Sequence, residues 1–141
     1  MDAKNKGSKK VVIRTIVKYP DELLRKVGHE YDSRSCQHIV TDLFDTLEEH
    51  DGLGLAAVQI GIPIKLFVLN PRCFPIIKEI VKSGLVFPNA EILSQSGKQS
   101  SFEGCLSIPN LTVEVERPTN MKIKFGDHSP AETAWRRSEQ Y

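Results

Sequence analysis

Gly52-Leu53-Gly54-Leu55-Ala56-Ala57-Val58-Gln59 is the stretch on which the fold of this chain turns, and Glu103-Gly104-Cys105-Leu106-Ser107 is its counterpart further on. Taken alone, the first reads as a glycine-rich turn between a helix and a strand. It is not a phosphate loop, because it lacks both the Gly-Lys-Ser/Thr ending and the G-x-G-x-x-G spacing. Its small residues let another backbone approach closely, either a packed strand or an extended peptide. Gln59 supplies an amide whose N–H could point at a developing oxyanion. From this motif alone, a tight packed turn followed by an ordinary surface glutamine is the better account of the same residues.

The flanks set the fold class. Upstream, from about Ser35 to His50, the apolar positions Ile39, Val40, Leu43, Phe44 and Leu47 recur at three- and four-residue steps, which predicts an amphipathic helix with one buried stripe. Asp51-Gly52 is expected to stop it, with glycine taking the left-handed conformation. Further upstream, Val11 to Val17 reads as a β-rich opening, and Pro20 to Arg25 as a short helical turn with proline at its start and acids following. Downstream, Ile64 to Leu69 has the character of a buried strand ended by Asn70-Pro71. Further strands are predicted at Leu85 to Phe87, Glu91 to Ser94, Ser101 to Leu106, Thr112 to Glu116 and Met121 to Phe125. Thr112 to Glu116 alternates strictly, as expected where one sheet face is wet and the other buried. Pro71 to Lys82 is left as a loop with a helical turn. One early helix followed by a run of antiparallel or mixed strands is an α+β layout.

Composition narrows the function classes. A chain of 141 residues with 40% hydrophobic and 26% charged residues suits a single globular domain. A formal charge of +1 gives no pull toward nucleic acid or an anionic membrane. The apolar runs, such as Ile60 to Asn70, are broken by Pro63 and Lys65 and are too short to span a bilayer. Met1 to Lys10 holds four lysines and is expected to be a disordered basic tail. Asp127 to Tyr141 is polar, and two helical turns or a solvated tail are expected there. Cys36, Cys73 and Cys105 are odd in number and widely spaced, which makes a poor disulfide framework and fits a reducing cytoplasm.

The second motif raises the question of what Cys105 does. A cysteine just after a strand could be a nucleophile or a metal ligand, and both require the thiolate. An unperturbed thiol titrates near ~8.5, so some helper is needed at neutral pH. A bound metal or a neighbouring histidine base would serve. A buried, inert thiol is the plain alternative.

Together, the two motifs resemble those of peptide deformylase, the enzyme family that removes the N-formyl group from new polypeptides. The likeness extends to Pro20-Asp21-x-x-Leu24-Arg25, Gln59-Ile60-Gly61, Ile92-Leu93-Ser94, Ser107-Ile108-Pro109 and Val115-x-Arg117-Pro118, and so covers roughly residues 13 to 127. Residues 11–126 then form a single, incomplete deformylase-like domain, with 127–141 a tail foreign to the family. By this resemblance Cys105 is a metal ligand, and a divalent Fe²⁺, Zn²⁺ or Ni²⁺ ion is the cofactor. Gln59 and the Leu106 backbone N–H face the formyl oxygen, while Gly52, Gly54, Leu55, Glu103 and Gly104 lie along the substrate. The implied partner is a nascent N-formyl peptide, with no membrane and no direct nucleic-acid contact.

The resemblance also implies a third element, a helix carrying His-Glu-x-x-His, and no such run occurs in the 141 residues. His29-Glu30 begins the right way, but Ser33 stands where the second histidine belongs. His128 has no glutamate beside it. The chain is therefore expected to be a C-terminally truncated or degenerate member, inactive or strongly impaired, without a stable metal site. In the family that helix packs centrally on the sheet. Burying about six large apolar side chains contributes about 10–15 kcal/mol, comparable with the net stability of a domain, about 5–15 kcal/mol. An exposed apolar sheet face and self-association through it are the expected consequences. Two other readings stand beside this one: a non-catalytic binder of formyl-Met or extended peptides, and a metal-free Cys105 nucleophile.

Overall fold

The computed structural model of the protein describes residues 10–75, 85–126 and 134–138. One α-helix and antiparallel strands make up the described secondary structure beyond two short 3-10 turns, an α+β fold. The helix, α1 (Ser33–His50), begins where the Asp32 carboxylate accepts the Arg34 backbone N–H. It ends at Asp51, which takes the left-handed conformation with φ of 51°. Glycine was expected to make that stop, but Gly52 is needed for another reason. A Cβ there would come within 2.8 Å of Leu106 Cδ1 and 3.0 Å of Leu47 Cδ1. Close packing, not backbone freedom, calls for glycine at this position.

The buried stripe of α1 (Ile39, Val40, Leu43 and Leu47) packs on β1 (Gly54–Ala56), the 3-10 turn Ala57–Ile60 and β2 (Leu66–Leu69). β1, β2 and β3 (Val86–Pro88) form one antiparallel sheet in that order, with Leu55 opposite Val68 and Phe67 opposite Phe87. β1 is therefore an edge strand. A second, aromatic cluster continues from this sheet. Phe67 stacks on Phe87 with centroids 4.9 Å apart, and Phe87 meets Phe125 edge-on, also at 4.9 Å.

Phe125 belongs to β7 (Asn120–Phe125), the central strand of a sheet ordered β4 (Glu91–Ser96), β7 and β8 (Ala134–Ser138). β8 runs antiparallel to β7, with Ala134 opposite Phe125 and Ser138 opposite Met121. Helical turns or a solvated tail were expected over this stretch, whose few apolar residues give no strand signal. Its described residues instead pair with the free edge of β7. The rest of the tail, the first nine residues and residues 76–82 of the Pro71–Lys82 insertion lie outside the described residues.

β5 (Gln99–Cys105) and β6 (Ile108–Arg117) pair only with each other among the described residues. The alternation of Thr112 to Glu116 predicted a buried face, but β6 is exposed along almost its whole length. Val113 is 44% accessible, and Phe102 on β5 is 75% accessible. Alternation reports which residues share a face; it does not say whether anything covers that face.

The opening segment also departs from expectation. Residues 11–17 form no strand; alternate N–H groups go instead to α1 side chains, Val12 to Asp45 at 3.2 Å and Arg14 to Thr46 Oγ1 at 2.8 Å. The predicted turn after Pro20 is present as a 3-10 turn at Glu22–Arg25, capped by Asp21. No helix among the described residues is long and apolar enough to cross a membrane.

Candidate active site

Motif one lies at a boundary between core and surface. Leu55 is 2% exposed, and Leu55 and Ala57 point into the core, whereas Gly54 and Ala56 face the other way and are half-buried. The chain then winds into the 3-10 turn Ala57–Ile60, which closes at Gly61 with φ of 81°. Gln59, in that turn, reaches back so that its Oε1 accepts the Ala56 N–H at 2.9 Å. Its Nε2 end is thereby turned outward, toward the second motif.

Motif two arrives at the end of β5. The hairpin register shifts between Gly104, opposite Thr112, and Cys105, opposite Ile108, and Leu106-Ser107 make the tight turn. Leu106 tucks its side chain into the main core over Gly52. Cys105 is exposed and free. Ser107 is 3% exposed, and its Oγ accepts from Gln59 Nε2 at 3.1 Å. The same Nε2 donates to Cys105 Sγ at 3.7 Å. The two motifs, far apart in sequence, thus converge on one amide group.

Residues outside both motifs hold this junction. Val17 N–H donates to the Gln59 carbonyl at 2.7 Å, Tyr19 N–H to the Ser107 carbonyl at 2.8 Å, and Lys18 Nζ to the Leu106 carbonyl at 3.2 Å. On the far side, buried Asn70 donates from its side chain to the Gly52 carbonyl at 2.9 Å and from its backbone to the Leu53 carbonyl at 2.8 Å. Sequence reasoning missed Lys18, Asn70 and Ser107. Asn70 carried only a strand-end signal, Ser107 lay inside the second motif without a role assigned to it, and Lys18 carried no signal.

Glu103 and Gly104, expected along the substrate, sit on the hairpin. Glu103 pairs with Arg117, which reaches it at 2.7 Å. The hydrogen bond from Arg117 holds the Glu103 carboxyl below the usual carboxylate range, against the opposing effect of burial, and the Arg117 charge and a hydrogen bond from Ser101 add to the lowering. Gly104 stands in ordinary contact with the Leu111 carbonyl; a Cβ there would lie 3.5 Å from it.

The divalent ion implied by the resemblance does not fit this set of donors. Cys105 offers one thiolate, and no group of three or more His, Cys, Asp or Glu residues comes together among the described residues. A catalytic zinc or similar ion commonly takes three protein ligands.

Known proteins resemble this chain in sequence and in fold. The family model of polypeptide deformylase matches residues 13–139. Peptide deformylase 1 of Clostridium acetobutylicum is 41% identical over 116 residues, which cover 81% of this chain and 71% of that protein. The peptide deformylase of Aquifex aeolicus is 39% identical over 116 residues, covering 79% of this chain and 66% of that protein. The chain thus spans about two thirds of the Aquifex protein and somewhat more of the Clostridium one. The crystal structure of a peptide deformylase from Legionella pneumophila superposes with a TM-score of 0.76 at 34% identity, covering 91% of this chain and 73% of that one. That from Thermotoga maritima gives 0.76 at 27% identity, covering 92% and 83%. On the extent of the family match and the identity to these relatives, the chain belongs to the polypeptide deformylase family.

Proposed function

We propose that these 141 residues bind the N-formyl-methionyl end of a polypeptide at the junction of the two motifs, and that by themselves they do not hydrolyse it at the rate of the family's metal enzymes. The observation that carries the reading is the convergence of Gln59 Nε2 with Ser107 Oγ and Cys105 Sγ beside the edge strand β1. An extended peptide can add to that edge through its backbone, with Gln59 and the Leu106 N–H as donors for the formyl oxygen. Gly52, Gly54 and Leu55 would lie along the peptide through their backbone, with Glu103 and Gly104 beside it on the hairpin. The donor set around Cys105 does not fit the ion that the family chemistry calls for, so no catalytic step is assigned to it. The three cysteines are free, in keeping with work in the cytoplasm.

Purified protein is to be incubated with formyl-Met peptide and Fe²⁺, Ni²⁺ or Zn²⁺, with formate release and peptide binding followed in parallel. Saturable binding without formate is expected. Formate release at family rates would overturn the second half of the proposal, and no binding up to millimolar peptide would overturn the first.

The uncovered face of β6 further supports self-association, since Leu111, Val113 and Ile108 are all exposed on one strand. Sedimentation should show a concentration-dependent dimer that a Leu111→Lys, Val113→Lys variant abolishes. A wild-type chain that stays monomeric across the range would remove this part.

A further inference from the structure

We propose that Ser107 is the positioning residue of this junction: its hydroxyl fixes the rotational state of the Gln59 carboxamide, so that one amide hydrogen is aimed at the space beside Cys105. The inference deepens the peptide-binding reading and rests on it for its functional consequence.

A primary amide is nearly symmetric in shape, and only its partners distinguish the oxygen end from the nitrogen end. Here both ends are engaged. Ala56 N–H donates to Oε1 at 2.9 Å, and Ser107 Oγ accepts from Nε2 at 3.1 Å. Turned by half a rotation, Nε2 would face the Ala56 N–H, donor against donor. Ala56 therefore selects the rotamer, and Ser107 holds the opposite end in place. Once one Nε2 hydrogen is committed to Ser107, planarity fixes the direction of the other, and it points to Cys105 Sγ at 3.7 Å. In the peptide-bound state that second hydrogen is the donor for a formyl oxygen.

Ser107 can act as a fixed post because it is held itself. It is buried, its carbonyl accepts the Tyr19 N–H at 2.8 Å, and the preceding carbonyl, of Leu106, accepts from Lys18 Nζ at 3.2 Å. A donor aimed in advance costs less ordering when the ligand arrives. An amide tethered only through Oε1 would have to be immobilised at that moment.

Titration calorimetry on the full chain, with a formyl-Met tripeptide and its unformylated counterpart, tests this. Wild type should prefer the formylated peptide. Ser107→Ala should weaken that peptide about ten-fold, the effect of one hydrogen bond, and leave the unformylated peptide unchanged. A Gln59→Ala, Ser107→Ala double variant should lose no more than Gln59→Ala alone. Equal weakening of both peptides, or additive losses, would overturn the assignment.

A wild-type chain that does not prefer the formylated peptide would sink the binding reading and not this one, which has its own readout. In the ¹⁵N correlation spectrum of wild type, the Gln59 side-chain amide should show two well-separated, slowly exchanging protons. Signals like those of a free glutamine would refute the role of Ser107, whether or not any variant folds.

Discussion

Arg14 and Asp42, 28 positions apart, meet at 2.6 Å where the N-terminal segment crosses α1. Arg14 Nε donates to the same carboxylate oxygen at 2.9 Å, and its backbone N–H goes to Thr46 Oγ1. The Asp42 side chain is only 9% accessible, so this is a lock between segment and helix, made before the chain reaches Val17 and the site.

Removing the cation leaves a mostly buried carboxylate without its partner. Arg14→Met should lower stability by about 2–3 kcal/mol in urea unfolding. Arg14→Lys should recover only part of that, since an ammonium cannot bring two donors to one oxygen from this position. A loss below about 0.5 kcal/mol would place the pair among ordinary surface bridges.

Gly28 and Gly52 are both required by close packing, at different cost. A Cβ on Gly28 would sit 2.7 Å from the Ile64 carbonyl carbon and 2.9 Å from Lys65 N, both backbone atoms of the bridge between His29 and Ile64. On Gly52 it would meet the ends of two leucine side chains. Gly28→Ala should cost about 2–3 kcal/mol and Gly52→Ala about 1 kcal/mol, because Leu106 at the core edge can yield. Gly52→Ala should still weaken formyl-peptide binding through the displaced Leu106. Thermal melts and calorimetry on the two variants settle the order.

Asn89 has φ of 51° and binds three groups with its side chain: it accepts the Tyr31 N–H at 2.8 Å and donates to the Tyr31 carbonyl at 3.1 Å and the Gly126 carbonyl at 3.0 Å. Asn89→Gly keeps the backbone conformation and removes these bonds, at an expected cost of about 2–3 kcal/mol. Asn89→Ala should be worse, adding the strain of a left-handed alanine. If the two variants melt together, backbone strain has no part here.

The Glu103–Arg117 pair carries a pH signature. Hydrogen bonding and charge from Arg117 lower the Glu103 carboxyl in the folded state. A depressed carboxyl stabilises the fold fully above its unfolded value of about 4.3, and that contribution is lost as pH falls through the lower folded value. NMR titration of the Glu103 carboxyl carbon should show this midpoint, and Arg117→Met should move it upward. An unmoved midpoint would assign the shift to something other than Arg117.

How much of this was legible beforehand follows from the range of each signal. The stripe of α1 is a local period, so the helix could be read to within two residues of its start. The strands from β2 to β7 were bounded by turn residues of the usual kinds. The two motifs identified the family, and the structure brings Gln59, Cys105 and Leu106 together. What could not be read depends on distant partners. The segment 11–17 has strand-like residues, yet α1 side chains take the N–H groups of Val12 and Arg14. Thr112 to Glu116 alternates, but nothing in a strand's own sequence reports whether a neighbour covers it. Ser107 lies within the second motif, but its role, like that of Lys18, arises only because two turns meet across the fold, and no short-range pattern reports that meeting.

The two motifs divide their duties unequally. Leu55 and Ala57 are core residues, so the need to fold is enough to preserve part of the first motif. Gly104 and Cys105 are exposed at the end of a hairpin and carry little of the packing. In lineages where the site had fallen idle, mutation would erode the second motif first and leave the first nearly untouched. The rate of substitution at positions 104 and 105, set against that at 55 and 57 among close orthologues, therefore works as a clock for the use of this site.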